Sequence, residues 1–352
     1  MIRVGLIGFG MAGRVFHAPL ISSVEGLELA AVVERSSDKA AERYPGITTY
    51  RTAEDLLADG SIRLVVVATP NATHYDLALQ ALVAGKNVIV DKPMALTSAE
   101  IGLLAELATG LGLHLVPFHN RRWDSDFQAL HKVINDGSLG PVLDCQSTFD
   151  RWRPGAPSRP WKEESDQGGL LADIGTHLTD QVLELFGLPV SLSADVRRER
   201  DGEGANDSFT LRLHYFGGRT VTLSANLLAT LPRPRFLLRG ARGNYRKWGL
   251  DPQEAALNQI ARITDPHWGE EPPADWGTLC VDVDGGIVTR PVPPVPGDYR
   301  LFYAAVRDAL LNNTPAPIPV VAAWRTARIL EWALESSQQQ REIVCIWGDE
   351  PA

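Results

Sequence analysis

A glycine-rich segment at residues 8–13 directly follows a short apolar run at residues 2–7 and begins a helical pattern. It reads Gly-Phe-Gly-Met-Ala-Gly, the GxGxxG spacing that lets the backbone turn tightly and approach a pyrophosphate. The phosphate then lies at the positive end of the following helix. Alone, these letters would also fit a plain glycine-rich turn. Their position between a strand and a helix favours a dinucleotide site built from Gly8, Phe9, Gly10, Met11, Ala12 and Gly13.

The first third of the chain alternates short β-branched runs with helical patterns, as βαβ units do. One of these helices is expected to begin after Thr97, which forms a capping box with Glu100, and to end at Gly110. Five strands in this rhythm predict a doubly wound parallel sheet, whose ligands bind beyond the carboxyl ends of the strands. The predicted strands are residues 2–7, 27–33, 64–68, 87–90 and 113–116.

An acidic residue follows the glycines at the distance of about 20 positions that a dinucleotide site requires. Glu34 ends the second predicted strand, where a carboxylate can accept hydrogen bonds from a ribose diol and repels a 2′-phosphate. Arg35, with Ser36 and Ser37, supplies the cation and hydroxyls that suit a 2′-phosphate, or simply faces solvent. The cofactor is therefore NAD or NADP, with a slight preference for NAD from Glu34.

A second domain is expected after about residue 120. The chain has 352 residues, more than the roughly 250–300 at which one hydrophobic core usually stops growing. Apolar and polar residues alternate at residues 209–215 and 221–227, and Gly217-Gly218 between them predicts a two-residue hairpin turn. Longer helical patterns follow at residues 300–311 and 322–336, with a proline-rich connector at residues 291–296.

The predicted fold class is thus α/β with two domains. Residues 1–120 form a dinucleotide-binding Rossmann domain with a doubly wound parallel sheet. Residues 121–352 form an α+β domain with an open, mostly antiparallel sheet that binds the substrate and mediates oligomerisation. The last helix could pack back on the first domain.

Composition limits the partners of this chain. The formal net charge is −9 and no run of five basic residues occurs, whereas nucleic acids and anionic membranes usually attract a basic stripe. No apolar run approaches the roughly 18 residues that a membrane-spanning helix needs. The three cysteines, Cys145, Cys280 and Cys345, fit neither a disulfide framework nor a metal-binding spacing. We expect a cytoplasmic protein without nucleic-acid, membrane or metal partners.

Two loops follow predicted strands at the edge where the cofactor should bind. One loop, Thr69-Pro70-Asn71, follows the strand at residues 64–68. The other, Asp91-Lys92-Pro93, follows the strand at residues 87–90. A lysine held at the nicotinamide end of the cleft could stabilise a developing alkoxide and assist proton transfer. The alternative for Lys92 is an inert surface lysine.

Asp173 and His177 are four residues apart in the second domain, a spacing that places both on one face of a helix. Histidine accepts protons near neutral pH, and a neighbouring carboxylate can orient it or bind a substrate hydroxyl. The alternatives are a helix cap for Asp173, a packed core histidine for His177, or a metal pair. A metal pair is disfavoured because no further ligand lies at a suitable spacing.

Arginine and tryptophan residues gather in the sequence between these two sites. Such side chains stack on sugar-like rings and bond hydroxyl groups, although packing between the domains would also explain them. The candidate substrate-binding residues are Lys92, Arg122, Trp152, Arg153, Trp161, Asp173 and His177.

These motifs together resemble the glucose-fructose oxidoreductase, inositol dehydrogenase and rhizopine catabolism family (Gfo/Idh/MocA) over nearly the whole chain. The markers are residues 8–13, Thr69-Pro70-Asn71 with His74, Asp91-Lys92-Pro93, and Gly168-Gly169 followed by Asp173 and His177. Residues 16–19, 119–124, 249–254 and 296–299 resemble the branch that contains NADP-dependent scyllo-inositol dehydrogenases.

The resemblance implies catalytic roles for Lys92, Asp173 and His177, with Asp91 in place of the commoner glutamate before the lysine. It also implies a homodimer or homotetramer that forms through the exposed sheet face of the second domain. The remaining cofactor contacts would be Thr69, Pro70, Asn71, His74, Asp91, Lys92 and Asn120.

The expected function is an NAD(P)-dependent dehydrogenase that interconverts a secondary alcohol and a ketone on a cyclic polyol or sugar. One alternative is a dinucleotide-sensing regulatory protein that has kept the fold without the chemistry. Another is reduction of an imine or enal, which would need an apolar cleft rather than one rich in arginine and tryptophan.

Overall fold

The computed structural model describes residues 1–155, 168–202, 204–259 and 262–351. Within residues 2–117, six parallel strands form one sheet in the order β3-β2-β1-β4-β5-β6. The strands are β1 (Ile2–Ile7), β2 (Leu27–Val33), β3 (Thr48–Tyr50), β4 (Leu64–Val67), β5 (Asn87–Val90) and β6 (Leu115–Pro117). The helices that connect them are α1 (Ala18–Ser23), α2 (Lys39–Arg43), α3 (Ala53–Ala58), α4 (His74–Val83) and α5 (Ser98–Leu111).

This sheet confirms the predicted doubly wound domain, with one strand more than expected. β3 pairs with Ala31–Val33 of β2 at the edge of the sheet. It has only three residues, Thr-Thr-Tyr, none of them fully buried, so it lacks the apolar run that marks a buried strand. β4 and β5, in contrast, are buried along their whole length, as expected of central parallel strands.

The capping box of α5 is present, since Thr97 accepts a hydrogen bond from the Glu100 backbone and Glu100 reaches back to Thr97. The expected end at Gly110 is wrong. The helix continues to Leu111 because Gly112 provides the left-handed residue, with φ of 65°.

The second sheet contains nine described strands in the order β14-β13-β12-β11-β7-β10-β9-β8-β15. All neighbouring pairs are antiparallel except β7 and β10, which run parallel. This confirms the predicted open, mostly antiparallel sheet. The strands are β7 (Val142–Asp150), β8 (Ser191–Arg197), β9 (Ser208–His214), β10 (Thr220–Asn226), β11 (Phe236–Gly240), β12 (Gly243–Lys247), β13 (Gly277–Val283), β14 (Gly286–Val292) and β15 (Ile343–Val344).

The hairpin of β9 and β10 differs from prediction at its turn. A short 3₁₀ turn at Phe216–Gly218 joins the strands in place of a two-residue turn. The proline-rich connector is also shorter than expected, because Pro291 and Val292 belong to the edge strand β14, where a missing N–H is tolerated. The helices of this part are α6 (Ser125–Asn135), α7 (Thr176–Phe186), α8 (Gln253–Asn258), α9 (Arg300–Asn312) and α10 (Val320–Gln339).

The last two long helices pack against the first domain. Phe302 and Tyr303 of α9 are buried in one core with β1 and β2. Glu331 of α10 accepts hydrogen bonds from the backbone and hydroxyl of Ser98 at the start of α5. The two domains are therefore joined by shared core and by a charged cap, which fixes the cleft between them.

Among the described helices, none is long and apolar enough to cross a membrane.

Candidate active site

A cavity of about 840 Å³ lies where the carboxyl ends of β1, β4 and β5 meet the second domain. Its wall unites residues that are far apart in sequence, from the glycine loop to the segment before α7. The predicted site residues that line it are Gly10, Met11, Ala12, Thr69, Pro70, Asn71, Asp91, Lys92, Asn120, Arg153, Asp173 and His177.

The glycine loop has the shape that a dinucleotide requires. Gly8 has a φ of +100°, and a Cβ on Gly13 would lie 2.0 Å from the Gly8 carbonyl oxygen. A Cβ on Gly10 would meet no atom within 4 Å, although Gly10 lines the cavity. The fold thus requires glycine at positions 8 and 13, whereas Gly10 leaves room for a phosphate to approach the backbone. Phe9 packs into the core beside Tyr44.

The helix after this loop begins with a π-helical turn, Gly13–His17. The turn directs His17 into the interior, where its Nδ1 lies 2.6 Å from the Tyr303 hydroxyl oxygen. The Nε2 of His17 lies 3.6 Å from one carboxylate oxygen of Asp91. The other carboxylate oxygen accepts a hydrogen bond from the Lys92 N–H. His17 therefore links the cofactor loop to the residue before the candidate catalytic lysine. The sequence offered His17 only as part of a motif, without a role.

Asp91 is strongly acidic in this setting. Burial alone would raise its pKa, but the hydrogen bond to His17 and the electrostatic effect of His17, His74 and Lys92 lower the pKa to about 2. The carboxylate is therefore ionised at neutral pH and provides a fixed negative charge beneath Lys92.

Lys92 and Asp173 are in direct contact across the cavity. The Lys92 ammonium donates a hydrogen bond of 2.8 Å to the Asp173 backbone oxygen and a short one to its carboxylate. The Lys92 side chain is 16% exposed and that of Asp173 is 34% exposed. An ammonium that is fixed by two bonds and still faces the cavity is a preorganised positive charge rather than a mobile surface lysine.

His177 lies on the same wall, in the first turn of α7. A second π-helical turn, Leu171–Gly175, precedes this helix and presents Asp173 to the cavity. The His177 side chain is almost fully buried, and burial is the largest cause that holds its pKa well below the ordinary value. The charges of Lys92 and Arg121 lower the pKa further. His177 is therefore neutral at neutral pH and able to accept a proton.

Glu34 does not lie as expected for a ribose-binding carboxylate. One oxygen accepts a 2.6 Å hydrogen bond from the Ser37 hydroxyl, and the other accepts a 2.8 Å bond from the Ala40 N–H in α2. The buried carboxylate thus stabilises the start of the next helix. Arg35 is exposed, and its side chain has no hydrogen bond or ion pair to a described residue.

Three further residues that were predicted as contacts do not line the cavity. His74 is buried behind the cavity, where its ring nitrogens lie 2.8 Å from the Thr69 oxygen and 2.7 Å from the Pro93 oxygen. It braces the two cofactor loops instead of lining the cavity. Arg122 donates hydrogen bonds to Asp180 and Glu184 of α7, so its guanidinium is turned away from the cavity.

Trp152 is the third of these. Its side chain is 55% exposed, its backbone bridges to Leu228, and it does not line the cavity. Side chains alternate along an extended segment, so Trp152 lies opposite its neighbours Arg151 and Arg153. Trp161 lies outside the described residues.

The sequence missed four charged residues that line the cavity: Arg121, Arg151, Arg200 and Glu254. Arg121 is buried and donates hydrogen bonds to Asp124 and Glu254. The charges of Arg121 and Arg151 hold the pKa of Glu254 below its usual value, although burial would raise it. The sequence shows that arginines gather here, but only the fold shows that Arg121 rather than Arg122 lines the cavity.

The fold and the cavity define a nucleotide-binding oxidoreductase, and family models agree. Residues 2–119 match the model described as "Oxidoreductase family, NAD-binding Rossmann fold", and residues 131–346 match "Oxidoreductase family, C-terminal alpha/beta domain". Together these matches span most of the sequence. The chain belongs to the Gfo/Idh/MocA oxidoreductase family.

Individual relatives are similar over their whole length. The "Uncharacterized oxidoreductase YdgJ" of Escherichia coli is 40% identical, with 98% of this chain and 99% of the relative covered. The scyllo-inositol 2-dehydrogenase (NADP(+)) IolW of Bacillus subtilis is 32% identical, with 97% and 96% covered. The crystal structure of an oxidoreductase from Bacillus cereus superimposes with a TM-score of 0.92 at 28% identity, with 99% of each chain covered.

Proposed function

We propose that this protein is an NAD(P)-dependent dehydrogenase that oxidises a secondary alcohol of a cyclic polyol or sugar, or reduces the corresponding ketone. The observation that carries this proposal is the meeting of Lys92, Asp173 and His177 on the cavity that also contains the glycine loop. A fixed ammonium and a neutral imidazole are the groups that an alcohol needs to lose its proton.

The three residues divide the work at the substrate. A nicotinamide dinucleotide, held by the glycine loop, residues 69–71 and Asn120, supplies the hydride acceptor. His177 accepts the hydroxyl proton at a ring nitrogen, because its lowered pKa keeps it neutral. Lys92 stabilises the alkoxide that develops on the same oxygen, and Asp173 holds the ammonium in place. The acidic Asp91 keeps Lys92 oriented from below through its backbone.

We propose NADP as the cofactor, in place of the slight preference for NAD that the sequence suggested. Glu34 is engaged with Ser37 and Ala40, so its carboxylate is not directed at a ribose diol. Arg35 follows β2 with its guanidinium exposed, where it can bind a 2′-phosphate. The NADP named for the relative from Bacillus subtilis supports the same choice.

We further propose that the protein works as a homodimer or homotetramer that pairs through the open face of the second sheet. Polar side chains that are exposed or half-buried cover this face, among them Gln146, Arg212, Thr222 and Thr278.

A cofactor-reduction screen tests the proposed function. The purified protein is mixed with inositols and sugars, with NAD and NADP in separate assays, and reduced dinucleotide is followed by its absorbance. We expect reduction by at least one polyol, faster with NADP, and loss of most activity in Lys92→Ala and His177→Ala. Unchanged rates in both variants would refute the assignment of these residues. Tight dinucleotide binding without reduction by any polyol would instead favour a regulatory sensor.

A further inference from the structure

The second-domain wall of the cavity carries two arginines that the proposed reaction does not use. Arg151 and Arg153 follow β7, and their backbone N–H groups donate to Asn226 and Leu227 with distances of 2.9 and 2.7 Å. The segment is thereby held extended beside β10. Both side chains face the cavity, since they are two residues apart.

The positive charge on this wall is not neutralised by the described residues. Arg121 already donates to Glu254, so Arg151 shares that carboxylate from 4.0 Å. The Arg151 guanidinium stacks over the Phe149 ring, 4.7 Å from its centre. The side chain of Arg153 has no hydrogen bond or ion pair to any residue that the structure describes.

The other cations of the cavity have partners of their own. Among the described lining residues, the side chains of Lys92, Arg121 and Arg200 each pair with an aspartate. Burial is the largest cause that lowers the pKa of Arg151. The Glu254 charge raises this pKa, whereas the charges of Arg153 and Arg121 lower it, which indicates repulsion between the arginines. An anion placed between these guanidiniums would relieve that repulsion.

We propose that Arg151 and Arg153 form a subsite for an anionic group of the substrate, so that the enzyme acts on acidic sugars or polyols. The inference rests on the proposed function, because the subsite lies in the cavity that contains Lys92 and His177. Guanidinium forks bind carboxylate and phosphate by paired, charge-assisted hydrogen bonds. The phosphates of a bound dinucleotide would be held elsewhere, by the glycine loop of the first domain.

Matched pairs of neutral and acidic compounds test the subsite. D-glucose is compared with D-glucuronate, D-galactose with D-galacturonate, and D-glucose 6-phosphate distinguishes a phosphate from a carboxylate. Two quantities are measured: kcat/KM for dinucleotide reduction, and the Kd from calorimetry on protein saturated with the reduced dinucleotide that it prefers. We expect at least one acid to bind about tenfold or more tightly than its neutral partner.

Substitution then assigns the effect to the arginines. Arg153→Gln should weaken binding of that acid by about 10- to 100-fold, the range for one charge-assisted hydrogen bond. Arg153→Lys should bind the acid more tightly than Arg153→Gln does, because it keeps the positive charge. In both variants the Kd values of the neutral sugar and of the dinucleotide should stay unchanged. Arg290→Gln, which removes an exposed charge from β14 outside the cavity, is the control and should change none of these.

The results separate this inference from the proposed function. Binding of an acid that depends on Arg153, without dinucleotide reduction, would support the subsite and contradict the reaction. Reduction by neutral polyols, with no acid bound more tightly than its partner, would support the reaction and overturn the subsite. A weaker dinucleotide Kd in Arg153→Gln, with acid binding unchanged, would also overturn it.

Discussion

In the proposed reaction, the charge of Lys92 acts on both the substrate oxygen and the candidate base. Its ammonium is fixed to Asp173, and its field helps to keep His177 neutral. The proposal thus gives one residue two roles: it stabilises the alkoxide and keeps its neighbour ready to take the proton. The sequence could predict this group because Lys92 ends a strand and the Asp173 and His177 spacing is local. It could not distinguish Arg121 from Arg122, since the direction of each side chain is set by the 3₁₀ turn Asn120–Trp123.

Removal of the Lys92 charge should raise the pKa of His177. Three causes hold the pKa of His177 below its ordinary value in the native protein: burial, the Lys92 charge and the Arg121 charge. In Lys92→Met one of these charges is lost and Asp173, which raises the pKa, loses its partner. We expect the His177 ring resonances in NMR titrations to shift at a higher pH than in the native protein. Lys132→Met, on the exposed face of α6, is the matched control, and equal titration midpoints in all three proteins would contradict the coupling.

At the scale of elements, two π-helical turns place the chemistry. Gly13–His17 joins the cofactor loop to α1 and directs His17 to Asp91, and Leu171–Gly175 precedes α7 and presents Asp173. Such turns are often found at functional sites. Neither turn was predicted, because a local change of helical hydrogen bonding leaves no periodic signal of its own. The elements around them were predictable from apolar runs, a capping box and glycine positions.

Two glycines of the cofactor loop should respond differently to alanine. Gly13→Ala places a Cβ against the Gly8 carbonyl oxygen, so we expect a loss of about 1–3 kcal/mol in the free energy of unfolding. Gly10→Ala meets no protein atom and should keep the native stability. It should weaken dinucleotide binding by about tenfold or more, because the methyl group occupies space that the phosphates need. Urea denaturation and fluorescence titration with NADPH measure the two effects. Native dinucleotide affinity in Gly10→Ala would show that the phosphates do not approach this loop.

At the scale of the whole molecule, buried charges hold the second domain beneath the cavity. Arg235 pairs with Asp126, and Lys247 pairs with Glu271, with all four side chains almost fully buried. Asp251 accepts hydrogen bonds from the Ser125 and Gln253 N–H groups in the same region. These pairs join distant parts of the chain. The sequence could not predict this network, because its partners are far apart in the chain. The two-domain architecture was predictable, because it depends on local patterns.

Asp251 should make stability depend on pH. Burial raises its pKa to about 6, so the folded state favours the protonated form relative to the unfolded chain. The stability that this preference contributes is fully present below the pKa of an aspartate in the unfolded chain, near 3.9. It is lost as pH rises through about 6. The free energy of unfolding of Asp251→Asn should therefore rise relative to that of the native protein as pH increases. We expect this relative rise to be about 2–3 kcal/mol between pH 4 and pH 7.

Urea denaturation at a series of pH values measures this difference. Asp76→Asn, on the exposed side of α4, is the control and should follow the native protein at every pH. A constant offset between Asp251→Asn and the native protein would mean that the Asp251 carboxyl has the same pKa in the folded and unfolded states.

The central claim is that His177 takes the hydroxyl proton while the carbinol hydrogen passes to the dinucleotide. Single-turnover reduction of bound NADP by a polyol deuterated at the reacting carbon tests it most directly. In the native protein we expect deuterium in the reduced dinucleotide. In His177→Gln we expect the rate to fall by about 10²- to 10⁴-fold, the usual range for a general base, with the dinucleotide Kd unchanged. Deuterium transfer in His177→Gln at the native rate, or a reduced dinucleotide without deuterium, would contradict the account.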